Sequence, residues 1–248
     1  RDEQSPHDSW PLKMDAASYA VLGSLAVGPN PRHLSVSADG NRVYVSRFIT
    51  PPMPGESTAA VQTSTGGGEV VVVNGPSMTV ERTIVLRHSD RPDAEKQGRG
   101  IPNYLGAAAI SPDGRSAWVP SKLDNVKRGT RREGLNLTFE NTVRAVSSRI
   151  DLASGAEDYA ARIDHDNASV ASAAIYDPLG IYLFVALETS RQVAVVDAYD
   201  GLELFRIEVG RAPQGLAYSA DSKRLFVNNF MDRTVSVFDL SSLLTAGI

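Results

Sequence analysis

Arg32 and His33 are the side chains whose types first suggest chemistry. A histidine can act as a general base near neutral pH if a nucleophile or substrate lies within hydrogen-bond reach, and an adjacent arginine can hold a carboxylate or phosphate. No Gly-x-Ser-x-Gly elbow accompanies His33, and no second histidine lies near it in sequence. The run Asp164-His165-Asp166-Asn167 is rich in metal-ligand types. It lacks the longer Asp-x-Asp-x-Asp-Gly spacing of a calcium loop and reads as a solvated connection. Asp124, Asn125, Glu140 and Asn141 read the same way. Lys127–Arg132 places four cations in six residues, without interleaved aromatics and in a chain of formal net charge −4. That argues for an acidic surface or plain solvation rather than nucleic acid. Asp2, Glu3, Asp8 and the stretch around Pro6 and Pro11 read as an irregular lead-in.

Composition bounds these choices. With 248 residues, 42% hydrophobic and 22% charged, the chain can bury a substantial core. It has no cysteine, which excludes disulfides, thiol catalysis, cysteine-ligated zinc, iron–sulfur clusters and covalent c-type haem within these residues. No run of 18 apolar residues is present, so no membrane span is expected, and no signal peptide is seen. No cofactor is expected.

What positions these side chains is a repeat. Leu34–Val45, Ala108–Val119, Ala174–Val185 and Leu216–Val227 share one pattern: a short strand, a polar turn of the Ser-x-Asp-Gly kind, and a strand ending in an aromatic and a valine. The turn-opening residues Ser37, Ser111, Asp177 and Ser219 are spaced by 74, 66 and 42 residues. A third strand ends at Asp15, Asn74, Asp151, Asp197 and Asp239. The shortest unit, 42 residues and four strands, is the size of a propeller blade. The fold expected is therefore all-β, a β-propeller of four-stranded antiparallel blades with four repeat equivalents visible. The whole chain reads as one repeat domain, with repeats at about 28–88, 103–163, 169–210 and 211–248. Residues 12–27 complete a neighbouring blade. Because the chain opens inside a repeat, it is expected to be part of a longer protein and a larger, seven-bladed ring. The alternative is closure as a small ring, with Ala20–Val27 as the fourth strand beside Leu216–Asp239. The aspartates ending third strands are expected to hold turn amides, and Tyr44, Trp118, Phe184 and Phe226 to pack between blades.

The longer units carry their extra residues around Arg47–Gly68, Arg87–Asn103 and Ser121–Glu140. In an antiparallel blade these connections all emerge on one face, so one side of the ring is decorated and the other plain. Residues ahead of the first strands and after the second strands meet at the channel mouth on that face. They place Arg32, His33, Arg47, Lys122, Glu188, Gln214 and Asn229 on one rim. Such a rim could bind an anion or a partner's acidic edge, or be only the polar lip common to such folds.

Gly210–Leu216 through Phe226–Asp239 resembles the YVTN-type β-propeller repeat family. Asn228–Asp239, Phe184–Glu188 and Phe139–Arg144 are similar to the propeller of bacterial proteins in which it precedes a di-haem cytochrome c peroxidase-like domain. That resemblance implies a periplasmic or secreted setting and a downstream haem domain as partner. It carries over no catalytic residue, because no Cys-x-x-Cys-His haem site is present. The function expected is a non-catalytic scaffold whose decorated face docks a protein partner or a haem domain. The alternative is a hydrolase or lactonase-like enzyme working at the channel mouth.

Overall fold

The computed structural model describes residues 10–56, 58, 60–126, 131–132, 135–136 and 143–245. Asp2, Glu3 and Asp8, Lys127 and Arg128 of the basic run, and Glu140 and Asn141 lie outside the described residues. Four antiparallel sheets follow one another along the chain. The first is β3 (Pro31–Val36), β4 (Arg42–Arg47), β5 (Gly67–Asn74) and β6 (Thr79–Arg87), hydrogen-bonded in chain order. The second is β7 (Ile101–Asn103), β8 (Ala109–Ile110), β9 (Ser116–Asp124), β12 (Val143–Asp151) and β13 (Ala156–His165). Here β7 and β8 both pair with β9, so two short pieces replace the innermost strand. The third sheet is β14 (Ala171–Tyr176), β15 (Tyr182–Leu187), β16 (Gln192–Asp197) and β17 (Glu203–Glu208). The fourth is β18 (Pro213–Ser219), β19 (Arg224–Asn229) and β20 (Thr234–Asp239). A hairpin of β1 (Leu12–Met14) and β2 (Val21–Ser24) precedes them, and β10 (Arg131–Arg132) with β11 (Leu135–Asn136) forms a small ribbon inside an insert.

The recurring turns are built by side chains, which is why they recur. In the first, the Ser37 hydroxyl donates to Asp39 (2.6 Å) and accepts from the Arg42 amide (2.9 Å), while Gly40 takes a φ of 71°. Ser111, Asp113 and Gly114 repeat that geometry. In the third copy Asp177 fills both roles, accepting from the amides of Leu179 and Tyr182. The third-strand acids cap the opposite turns. Asp15 accepts from the Ser18 amide at 2.7 Å, Asn74 from Ser77 at 3.0 Å, Asp151 from Ser154 at 2.7 Å, Asp197 from Tyr199 at 2.8 Å and Asp239 from Ser241 at 2.9 Å.

The core lies between the sheets. Tyr44, Val72 and Leu86 of the first sheet pack on Val119 and Ile150 of the second. Trp118 and Ile163 of the second meet Leu183, Val185 and Val196 of the third. Phe184, Val193 and Val195 of the third meet Leu225 and Val227 of the fourth. The recurring aromatic of each sheet thus faces the next sheet. Phe226 faces outward, and there it is only half-buried. Its neighbours Val235 and Val237 are 59% and 50% exposed. At the other end, Leu25 and Val27 beside the hairpin cover Val45, Val71 and Val73, leaving Leu34 and Val36 exposed. Val21–Ser24 pairs with Leu12–Met14 and not with β20, which corrects the small-ring alternative. The physical reason is local: six intervening residues close β1 onto β2, with Asp15 capping the turn, before any distant edge is available.

After β20 the chain turns into α1 (Ser241–Thr245), set by Leu240 and Leu243 against the third and fourth sheets. The Tyr182 hydroxyl donates to the Leu243 carbonyl at 3.4 Å, which places this turn on the plain face. On the same face a cleft of about 680 Å³ opens between the first and second sheets, lined by Asp39, Arg42, Tyr44, Pro112, Asp113 and Leu152 among others.

Candidate functional site at the channel mouth

The three inserts converge on the opposite face. Met53 and Val61 of the first, Ile101 at the end of the second and Val126 of the third form one apolar cluster. The Thr50 amide donates to Asn103 Oδ1 (2.9 Å), the Thr50 hydroxyl to the Pro102 carbonyl (2.5 Å), and Asn103 Nδ2 to Asp124 (2.7 Å). The second insert is also tied to β13: the Lys96 amide donates to Asp166 (2.8 Å), and Arg87 and Arg91 stack on Tyr159 at 3.7 and 4.7 Å. Part of the third insert is strand rather than loop, since β9 and β12 pair over nine residues each as far as Asp124 and Val143.

Each first strand carries a defect at the same place. Register slips between Pro31 and His33, between Ala171 and Ala173, and between Pro213 and Gly215. The extra residues are Arg32, Ser172 and Gln214. In the second sheet the innermost strand is interrupted at the corresponding point, at Gly106. A bulge re-aims a side chain out of the sheet, and three bulges with one strand break bring four positions to one spot. All four line a pocket of about 250 Å³, together with His33, Phe48, Tyr104, Val170 and Glu188. Asn30, Tyr104 and Ala212, just ahead of three of these strands, each take a left-handed φ of 53°. Gly106 has no room for a side chain, because a Cβ there would lie 2.8 Å from both Pro120 and the Ser172 carbonyl.

Of the seven rim residues expected from sequence, the pocket gathers Arg32, His33, Glu188 and Gln214. The other three have partners of their own, and two of them, Arg47 and Asn229, lie elsewhere. The reason is register. The amides of Phe48, Glu188 and Phe230 donate to the carbonyls of Asn30, Val170 and Ala212, so these three residues are equivalent. Arg47 and Asn229 sit one residue earlier, and alternation along a strand turns them to another side. Arg47 lies over Gly28, donating twice to the Val27 carbonyl (2.7 and 3.0 Å) and pairing with Glu69. Asn229 does the same job at Gly210, accepting from its amide at 3.0 Å. Both staple a preceding fourth strand in place.

Lys122 is on the rim side but is already matched. Its ammonium is 3.1 Å from Asp124 and 3.8 Å from the Tyr104 ring centre. Tyr104 stacks on Phe48 with centroids 4.4 Å apart, and the Arg32 guanidinium lies 4.0 Å over Phe48. The result is a ladder, Lys122–Tyr104–Phe48–Arg32, spanning two sheets. Phe48 and Tyr104 were missed by sequence reasoning; counting back from Glu188 and Phe230 across the repeats is the signal that finds Phe48. Opposite Arg32, Glu188 accepts from Gln214 Nε2 at 3.1 Å. Burial and then the neighbouring Arg32 charge lower the pKa of His33, so it is neutral at pH 7.

The Asp164-His165-Asp166 run is not a solvated loop. It ends β13 against the third sheet, where buried Arg144 holds Asp164 (2.6 Å) and Asp166 (2.8 Å). Fully buried His165 shares one hydrogen bond with the Ser147 hydroxyl (3.0 Å) and one with Glu203 (3.2 Å). The order Ser–His–Glu has the connectivity of a nucleophile relay. Ser147 and His165 are both 0% exposed, however, and the adjoining cavity of about 220 Å³ touches only Glu203 of the three, so the trio serves as an inter-sheet bond. Asn167 has a left-handed φ of 59° that turns the chain toward β14. Among the described residues no cluster of three metal-ligand side chains is found, and no helix is long and apolar enough to cross a membrane.

No protein-family model matches the sequence, and no curated protein matches it. Solved structures do. The chain is similar to Kuenenia stuttgartiensis hydrazine synthase, with a TM-score of 0.66 and 16% identity over 92% of this chain and 64% of that one. It is also similar to a functionally unknown protein from Desulfotomaculum acetoxidans DSM 771 (TM-score 0.59, 11% identity, 92% of this chain and 57% of that one). A third is the Dos1 propeller (TM-score 0.55, 13% identity, 90% and 45%). The fold is a β-propeller of four antiparallel blades. The chain spans between 45 and 64% of the length of these three structures. At such identities the likeness speaks to fold alone.

Proposed function

We propose that this chain is a non-catalytic propeller scaffold of the YVTN-repeat kind, periplasmic or secreted, whose insert-bearing face docks a protein partner, in particular a haem-carrying redox domain. The observation that carries the reading is the fusion of the three inserts into one platform through Met53, Val61, Ile101 and Val126. Separate loops would present separate, adaptable tips, whereas a shared core presents one preformed surface. The outer edge of β20, which pairs with no strand among the described residues, and the half-covered outward faces support a second part of the proposal. The four blades belong to a larger, seven-bladed ring within a longer protein. The hydrolase alternative rests on His33, and no hydroxyl or carboxylate among the described residues hydrogen-bonds to it.

A photo-crosslinking residue placed in the source cells at Gln62 or Glu95 of the inserts, or at Ala153 on the plain face, tests this. The expected result is one discrete adduct from the first two positions, retaining covalent haem on a peroxidase stain, and none from the third. A discrete adduct without haem would keep the scaffold and remove the redox partner. Adducts from both faces alike, or from neither, would sink the docking reading.

A further inference from the structure

We propose that the channel-mouth pocket is a receptor site for a small free amino acid, a guest carrying one carboxylate and one ammonium group. This goes beyond the docking reading and stands or falls without it.

Charge carries the argument. Two opposite charges, Arg32 and Glu188, line the same pocket yet make no ion pair with each other. The Arg32 guanidinium carbon lies 4.0 Å from the Phe48 ring centre, a contact with the ring that engages no carboxylate and leaves N–H donors available for one. Among the described residues no carboxylate lies within ion-pair distance of it. Glu188 has one oxygen engaged by Gln214, and no cation among the described residues balances it. The remaining wall is neutral: the Ser172 hydroxyl is occupied by the Pro213 carbonyl at 2.7 Å, and the only other cation of the ladder, Lys122, is matched by Asp124. One unspent cation facing one unspent anion suits a dipolar guest. A dianion would set its second carboxylate toward Glu188, and a diamine its second ammonium toward Arg32.

Size and rigidity agree. A volume of about 250 Å³ falls just under the range used by drug-sized ligands, so the guest has few heavy atoms. The walls come from all four sheets, aimed by bulges and braced by the ring stack, so little order is gained on binding. The bulge recurs in three sheets and a strand break takes its place in the second, but the residue at that point differs each time: Arg32, Gly106, Ser172 and Gln214.

Isothermal titration with glycine, β-alanine, 4-aminobutyrate and 5-aminovalerate tests it, with succinate and 1,4-diaminobutane as the dianionic and dicationic controls. At least one amino acid should bind, in about the micromolar-to-millimolar range open to so few atoms. Both controls should bind at least about tenfold more weakly. Arg32→Gln and Glu188→Gln should each weaken the amino acid by at least about tenfold, the loss expected when a charge-assisted hydrogen bond to the guest disappears. Unchanged circular dichroism in these exposed-rim variants separates loss of binding from loss of fold. No heat with any amino acid, equal affinity for succinate or the diamine, or full affinity in either variant would overturn the proposal.

Discussion

At the scale of single residues, periodic and aperiodic side chains have divided the labour. The capping aspartates are held acidic by the turns they close. Asp39 is lowered to about 2 by the Ser37 hydroxyl and the Asn41 amide, and the turn amide and hydroxyl of Ser18 lower Asp15. Two aperiodic residues near the end of β13 each yield a test: Glu203 bonds across the seam between the second and third sheets, and Arg144 within the second. Glu203 is raised by burial but lowered more by its hydrogen bonds from His165 and Arg206, ending at about 2 instead of 4.5. A carboxylate depressed on folding contributes stability that is present above its unfolded pKa and lost as pH falls through the folded one. Urea midpoints should therefore fall more steeply for the parent than for Glu203→Gln between pH 4.5 and about 2. Identical slopes would show that the trio is energetically idle. Arg144 holds two carboxylates in a site with almost no solvent, and burial has already raised the pKa of Asp164. Arg144→Met leaves those charges uncompensated and should cost about 3–5 kcal/mol in chemical denaturation.

Strands and turns were the part of this molecule that the sequence displayed most openly. The valine runs of β5, β16 and β20, and the polar turns between first and second strands, announce themselves by alternation and by Asp and Gly. The bulges did not. An extra residue in a six-residue strand leaves no mark on composition, and only superposing the repeats reveals that Arg32, Ser172 and Gln214 share a fate. The same gap misdirected Arg47 and Asn229 to the rim: one residue of register is one face of a strand. Asp164–Asp166 looked like a loop because charge was taken as a sign of solvent, whereas Arg144, twenty residues earlier, neutralises it. The element most exposed to test is the entry to β8. Gly106→Ala would force the new methyl against Pro120 and the Ser172 backbone, and overpacking of this kind costs about 1–3 kcal/mol. A thermal-shift comparison with Gly114→Ala is informative, because Gly114 has open space but a φ of 69°. The Gly106 variant alone should lose the pocket.

The whole molecule is a stack whose two end faces are incompletely covered. Among the described residues the outer edge of the fourth sheet is unpaired and bordered by Val235 and Val237, an arrangement that invites another strand. Sedimentation of the 248-residue chain should show concentration-dependent association that Val235→Lys with Val237→Lys suppresses. A monomer at every concentration before substitution would show that the edge is already protected. A net charge of −4 says nothing of where the unmatched cation sits.

The ring ladder from Lys122 to Arg32 joins the first and second sheets on the decorated side, while the cleft of about 680 Å³ parts the same two sheets on the other. These two sheets are thus braced by stacked rings at the mouth and by their shared apolar core, while on the plain side Arg82 donates to the Ser154 carbonyl at 2.9 Å beside an opening lined by Asp39 and Asp113.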